Sequence, residues 1–275
     1  SWGSGGTNVP CMRSRVLHTM YASGALLLAA ALAGCGGGSS SSGASGDLGL
    51  IQSGNLTVCS DVPYEPFDIQ QGNTYTGFDG DLVNAIAKGM GLKVVLKDSS
   101  FDGLQSGLSL NSSQCDMVSS AMTITPEREK NVDFSDPYYD SKQSLLVPTG
   151  SDIKSIDDLG GKKVGVQQGT TGKTYTEENA PKSASVVSFP SDAEMFPAIK
   201  AGQVDALLQD LPVNLKHTEG GQFEIVQTYN TGEKYGFAVR EKGSEALLKE
   251  INKQLKTLRD NGTYDKLYNK YFKTE

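Results

Sequence analysis

The residues best suited to chemistry lie between Asp116 and Tyr139, in the run DMVSSAMTITPEREKNVDFSDPYY. An apolar pair, Met117 and Val118, gives way to the hydroxyl residues Ser119 and Ser120, and then to Thr123. Pro126, Glu127 and Arg128 follow. Proline suits the first turn of a helix and Thr125 is placed to cap it, so a helix is predicted to begin here. Arg128 then lies close behind a strand end, with free backbone N–H groups nearby. A guanidinium beside oriented donors suits a small carboxylate, because its fork can bind both oxygens at once. A second candidate, Gln168-Gly169-Thr170-Thr171-Gly172, leaves a strand and opens a helix whose first N–H groups also favour an anion. It lacks the G-x-x-x-x-G-K-[ST] pattern of a nucleotide loop. Asp210 ends the strand DALLQ ahead of Leu211-Pro212, a position that suits either a helix cap or an acid at a site.

Composition narrows the chemistry further. The 275 residues include only two histidines, His18 and His217. A Ser-His-Asp triad or a multi-histidine metal site therefore has almost no material, and neither catalytic residues nor a metal or cofactor is expected. A net charge of −7 argues against a nucleic-acid surface, which would need a basic stripe. Hydrophobic residues at 37% and charged residues at 21% are ordinary for a globular chain with a real core.

The elements that must position these residues alternate. The strand LTVCSD is followed by a helix near Asp79–Gly89, the strand KVVLKD, a helix over about Asp102–Leu110 and the strand DMVSS. This βαβ rhythm predicts a mostly parallel sheet. Ser144–Val147 reads as a strand leading to a crossing near Pro148-Thr149-Gly150. A second α/β series follows, with a short helix at Ile156–Leu159, strands at Lys163–Gln167 and Asp205–Gln209, and a helix at Asp192–Ala201. The chain is read as crossing back near Thr231–Tyr235, with Tyr235–Val239 as a returning strand. Helices at Ser244–Arg259 and Tyr264–Tyr271 close the pattern, their apolar residues three and four apart. Cys59 and Cys115 lie on neighbouring predicted strands, but near the end of one and the start of the other. At about 3.3 Å per residue that register separates them, so two free thiols are expected.

Residues 1–34 read as a targeting segment, with the true start at Met12, basic residues at Arg13 and Arg15, and an apolar core from Ala22 to Ala33. Leu32-Ala33-Gly34-Cys35 resembles the lipobox of bacterial lipoproteins, which implies lipidation of Cys35 and a membrane anchor outside the cytoplasm. Residues 35–50 continue as a Gly/Ser-rich tether, whose flexible part spans about 18 Å on average.

Two motifs carry a wider resemblance. The DMVSS…Arg128 segment is similar to the ligand-binding segment of the polar amino-acid-binding proteins of ABC importers, the family 3 extracytoplasmic solute receptors. Gly77-Phe78-Asp79-Gly80-Asp81-Leu82, ahead of VNAIAKGM, resembles that family's signature, except that Gly80 stands where the family usually has an aliphatic residue. The resemblance runs from about Asn55 to Phe272. It implies the type II periplasmic-binding-protein fold: two α/β lobes joined by two hinge strands, with ligand in the cleft between them. Lobe one would be residues 51–147 plus 236–275, and lobe two residues 151–232.

Carried onto this sequence, the family's pocket places the ligand α-carboxylate on Arg128, helped by the Thr123 hydroxyl and the backbone at Ser120 and Ala121. Gln168 and Thr171 contribute from the second lobe, and Asp210 takes the ammonium. Asp61, Tyr64 and Phe67 fall where the family places side-chain contacts, with Phe101 at the other aromatic position. Tyr64 and Phe101 could sandwich an aliphatic stem or a guanidinium plane. A carboxylate at Asp61 favours arginine, lysine or ornithine. It could also accept from a glutamine amide, with Gln167 and Gln209 as nearby polar candidates. The resemblance thus implies a monomeric, non-enzymatic receptor that hands a free amino acid to a membrane permease. A few relatives on this fold are cyclic-acid dehydratases, which keeps an enzyme as the competing reading.

Overall fold

The computed structural model describes residues 47–272. The targeting segment, Cys35 and the tether as far as Gly46 lie outside the described residues. Strand β1 (Asn55–Ser60) leads through a small hairpin, β2 (Ile69–Gln71) and β3 (Thr74–Thr76), into helix α1 (Gly77–Gly89). Next come β4 (Lys93–Asp98), the short helices α2 (Phe101–Gln105) and α3 (Leu108–Asn111), β5 (Met117–Val118) and β6 (Val132–Phe134). The long strand β7 (Tyr139–Pro148) leads to β8 (Lys163–Gln167), α4 (Thr171–Asn179), β9 (Ser185–Phe189) and α5 (Asp192–Lys200). The chain finishes with β10 (Ala206–Asp210), α6 (Leu211–His217), β11 (Phe223–Tyr235), β12 (Ala238–Arg240), α7 (Glu245–Asp260) and α8 (Thr263–Phe272).

These strands form two five-stranded sheets, ordered β4-β1-β5-β12-β6 and β11-β7-β10-β8-β9. Strand β1 is parallel to both neighbours and almost wholly buried, which is why LTVCS reads as a continuous run rather than an alternation. In the second sheet β8 lies parallel to β9 and β10. Helix α1 covers the first sheet with Phe78, Leu82, Val83 and Ile86, the three-and-four spacing of one helical face. Gly80 is required there: a Cβ would lie 2.9 Å from the Tyr75 backbone and 3.1 Å from its ring. Tyr75 fills the space that an aliphatic side chain would otherwise take.

Strands β7 and β11 join the two lobes. They pair antiparallel from Tyr139↔Tyr235 to Phe223↔Pro148. Their tyrosine end lies in the aromatic core of the first lobe, with Phe67 and Tyr138, and their other end lies in the second lobe's core, with Leu145, Val147 and Tyr229. Phe67, a candidate side-chain contact, is fully buried among Phe78, Tyr139, Tyr235 and Phe272 and serves packing.

Several local expectations change. The helix expected after Pro126 is a single 3₁₀ turn, Arg128–Lys130, although Thr125 Oγ1 does accept the Arg128 N–H at 3.2 Å. The helix expected over 102–110 breaks into α2 and α3 because Gly107 takes a positive φ of 79°. The returning strand begins as the end of β11, and β12 is separate. Cys59 and Cys115 are joined in a disulfide, with Cα atoms 5.7 Å apart. Cys59 pairs with Val118, and Asp116 N donates to Thr57 O, so a straight β5 would carry Cys115 past Leu56. The chain instead bends off the strand line at Asp116, which brings Cys115 back to Cys59. Among the described residues no helix is long and apolar enough to cross a membrane.

Candidate functional site

Arg128 is only 4% exposed, yet it belongs to no ion pair among the described residues. Its Nη1 donates to Thr123 O at 2.7 Å and its Nη2 to Gly169 O at 2.9 Å. Two carbonyls leave most of a guanidinium's five N–H donors for another acceptor. Burial holds Arg128 below its ordinary range, at about 10, even with the charges of Asp210 and Glu233 acting the other way. A buried cation without an anion is costly, and a bound carboxylate would offset that cost. One face of Phe101 lies under Arg128 itself, 5.2 Å from the guanidinium carbon.

Opposite stands Asp210. It occupies the N-cap position of α6 but makes no capping bond, so the helix-cap reading does not hold. Its Oδ1 accepts from Gln143 Nε2 at 2.6 Å and its Oδ2 from the Tyr235 hydroxyl. Burial pushes its carboxyl up to about 7, and the Glu233 charge adds to that. Helix α4 can approach because Gly172 has no side chain: a Cβ would meet Gln143 Oε1 at 2.8 Å and Leu208 O at 3.2 Å. Thr170 caps α4, accepting from Lys173 N at 3.1 Å and donating to Gln167 O at 2.7 Å.

The far end is set by Asp61, just past β1. Its Oδ2 accepts from Gln167 Nε2 at 2.5 Å, and burial raises its carboxyl to about 7. Its backbone N–H donates to Ser120 Oγ at 3.1 Å, which ties the ends of β1 and β5 together. The Gln167–Asp61 and Arg128–Gly169 bonds both run from one lobe to the other, so the cleft is closed.

Phe67 aside, nine of the ten residues expected to touch ligand line one cavity: Asp61, Tyr64 and Phe101; Ser120, Ala121, Thr123 and Arg128; Thr171 and Asp210. Gln167 and Thr170 complete its lining. Gln168 is the exception. It lies past the end of β8, its amide oxygen accepts from Lys173 Nζ at 3.1 Å, and its neighbour Gln167 faces the cavity instead. Gln209 is also removed from the site, bonded to Asp192 and Asn214. Ala121 lines the cavity with φ +44°, but its N–H donates to Asp79 Oδ2 at 2.9 Å and is not offered to a ligand. Asp79 also accepts from Tyr138 at 2.6 Å, and burial raises it to about 6. The acid of the Gly-Phe-Asp motif thus braces the loop that carries Ser120, Ala121 and Thr123.

Gln143 and Glu233, which connect Asp210 to the hinge, carried no sequence signal. Both sit on strands whose polar residues read as ordinary surface positions.

Comparison with known proteins agrees with this geometry. Residues 56–274 match the family model of the bacterial extracellular solute-binding proteins, family 3. The chain belongs to this family. It is a solute-binding protein with the two-lobed fold. It is 40% identical over 208 residues to the ABC transporter glutamine-binding protein GlnH of Bacillus subtilis (strain 168), covering 72% of this chain and 73% of that one. Among solved structures it resembles an ancestral arginine-binding protein, seen bound to arginine and to glutamine, with 43% identity and a TM-score of 0.74. That match covers 80% of this chain and 99% of the other. It also resembles the ancestral amino-acid-binding protein AncCDT-1, a precursor of cyclohexadienyl dehydratase, at 42% identity and TM-score 0.72, over 80% of this chain and 96% of that one.

Proposed function

We propose that this chain is the amino-acid-binding component of an ABC importer and that it takes a cationic amino acid, arginine, lysine or ornithine. The observation that carries the reading is the charge order along one closed cavity. A buried guanidinium that makes no ion pair among the described residues, Arg128, faces an acid, Asp210, and a second acid, Asp61, stands at the other end. An α-carboxylate, an α-ammonium and a side-chain cation complement these three in turn. With Glu233 behind the wall, three carboxylates oppose one guanidinium, an excess of negative charge that favours a ligand with net positive charge. Because both lobes contribute to both ends, the ligand stabilises the closed form over the open one, and closure needs no chemistry.

Glutamine is the second reading, favoured by one contact: Asp61 already accepts an amide N–H, from Gln167. A thermal-shift panel of free amino acids on ligand-stripped protein separates the two. A ligand at one hundred times its Kd adds roughly 2.7 kcal/mol. Stabilisation by arginine, lysine or ornithine supports the cationic reading, and stabilisation by glutamine alone replaces it. No response from any amino acid, with turnover of prephenate or arogenate, would make the protein an enzyme instead. The lipobox-like run ending in Cys35 supports a receptor anchored by lipid outside the cytoplasm; a Cys35→Ser chain that still carried acyl mass would refute this.

A further inference from the structure

Glu233 does not line the ligand cavity, but its carboxylate lies directly behind two residues that do. It is 9% exposed, on β11 beside a register shift between Tyr229 and Glu233, where the chain passes from one lobe to the other. Its Oε2 accepts from Thr123 Oγ1 at 2.7 Å and from Thr171 Oγ1 at 2.9 Å. Its Oε1 accepts from Thr231 Oγ1 at 2.8 Å and from Gln143 Nε2 at 3.1 Å. Thr123 belongs to the first lobe's loop and Thr171 to the first turn of α4 in the second. One oxygen on a hinge strand therefore holds a hydroxyl from each side of the cleft.

The direction of these bonds has a chemical consequence. An ionised carboxylate only accepts, so both threonines must donate their single hydroxyl proton to it. Each hydroxyl then presents lone pairs alone to the cavity. Lone pairs suit an ammonium and do not suit a carboxylate, which reverses the role expected for the Thr123 hydroxyl. We propose that Glu233 is a positioning residue of this site: it turns Thr123 and Thr171 into acceptors for the ligand's α-ammonium, beside Asp210, and ties the two lobes together at that end. The proposal rests on the reading of the ligand as an α-amino acid.

The test compares Glu233→Gln with wild type, using ligand-stripped full chain, for binding of arginine and of 5-guanidinopentanoic acid, which is arginine without its α-amino group. Glutamine and 4-carbamoylbutanoic acid form a parallel pair. The expected result is a roughly tenfold loss for the amino acid, seen mainly as faster dissociation, with less than about twofold change for the analogue. Thr171→Val should lose affinity in the same selective way, and the double variant should bind little worse than Glu233→Gln alone, because losing Glu233 already undoes the Thr171 contact. Equal loss for acid and analogue would reduce Glu233 to a structural role and overturn the proposal, as would unchanged arginine binding. Should Glu233→Gln fail to fold, Thr171→Val supplies the same comparison. Wild-type protein that binds no free amino acid refutes the amino-acid reading itself, and this proposal with it.

Discussion

Replacing Asp61 with asparagine removes one negative charge from the end of the cavity and almost no volume. At about 4 Å and an effective dielectric near 20, a carboxylate and a guanidinium attract by about 4 kcal/mol. Desolvation and the amide's residual acceptor reduce the loss, so about 2–4 kcal/mol is expected, or roughly 30- to 900-fold in Kd for arginine. Protonation lowers the figure near neutrality. With the Asp61 carboxyl raised to about 7, half of the ligand-free protein is already neutral at pH 7, which shrinks the apparent loss about twofold. Glutamine should be affected far less, because an asparagine amide can still pair with an amide. Calorimetric titration of both ligands at pH 8.5 reads the full effect. Arginine binding within about threefold of wild type would refute the placement of a side-chain cation at Asp61.

Three further outcomes follow from the same geometry. Arginine affinity should fall with acidity, because Asp61 and Asp210 are both raised to about 7 and both must ionise to hold a cation; two such groups give roughly a hundredfold loss from pH 8 to pH 6, and a flat profile would contradict it. Ligand-free stability should run the other way: these carboxyls hold more protons folded than unfolded between about pH 4 and 7, so their contribution is lost as pH rises through that window, measurable as a falling melting temperature. Replacing both Cys59 and Cys115 with serine should cost about 4 kcal/mol by loop-closure entropy over a separation of 56 residues, measured by denaturant unfolding, and should leave ligand selectivity unchanged.

Most of the site was legible because its residues sit at element ends. Thr123 and Arg128 follow β5 and Asp210 ends β10, strands whose apolar runs fix where the backbone stops. The Gly/Thr loop follows β8 and opens α4, and Gly172 is needed there for a reason that no sequence pattern displays. The step from Gln168 to Gln167 turned on one residue at the end of β8, where strand pairing decides which side chain faces the cleft. Cysteine pairing was misread because strand register assumes a straight chain, and the chain bends at Asp116. Strand β9 and the hairpin of β2 and β3 escaped notice because SVVSF, IQQ and TYT are short runs, two of them only three residues long and rich in polar residues. Glu233 was invisible for a deeper reason. A glutamate on a polar stretch of strand reads as solvent-facing, and only the meeting of the two lobes buries it.

The central claim is that Arg128 and Asp210 hold the two charged ends of one amino acid. Calorimetric titration of ligand-stripped protein with arginine and with agmatine, its decarboxylated counterpart, tests it directly. Saturable one-to-one binding of arginine, with agmatine weaker by at least roughly a hundredfold, is the predicted result, since agmatine leaves Arg128 buried without its anion. Agmatine bound as tightly as arginine would contradict the account.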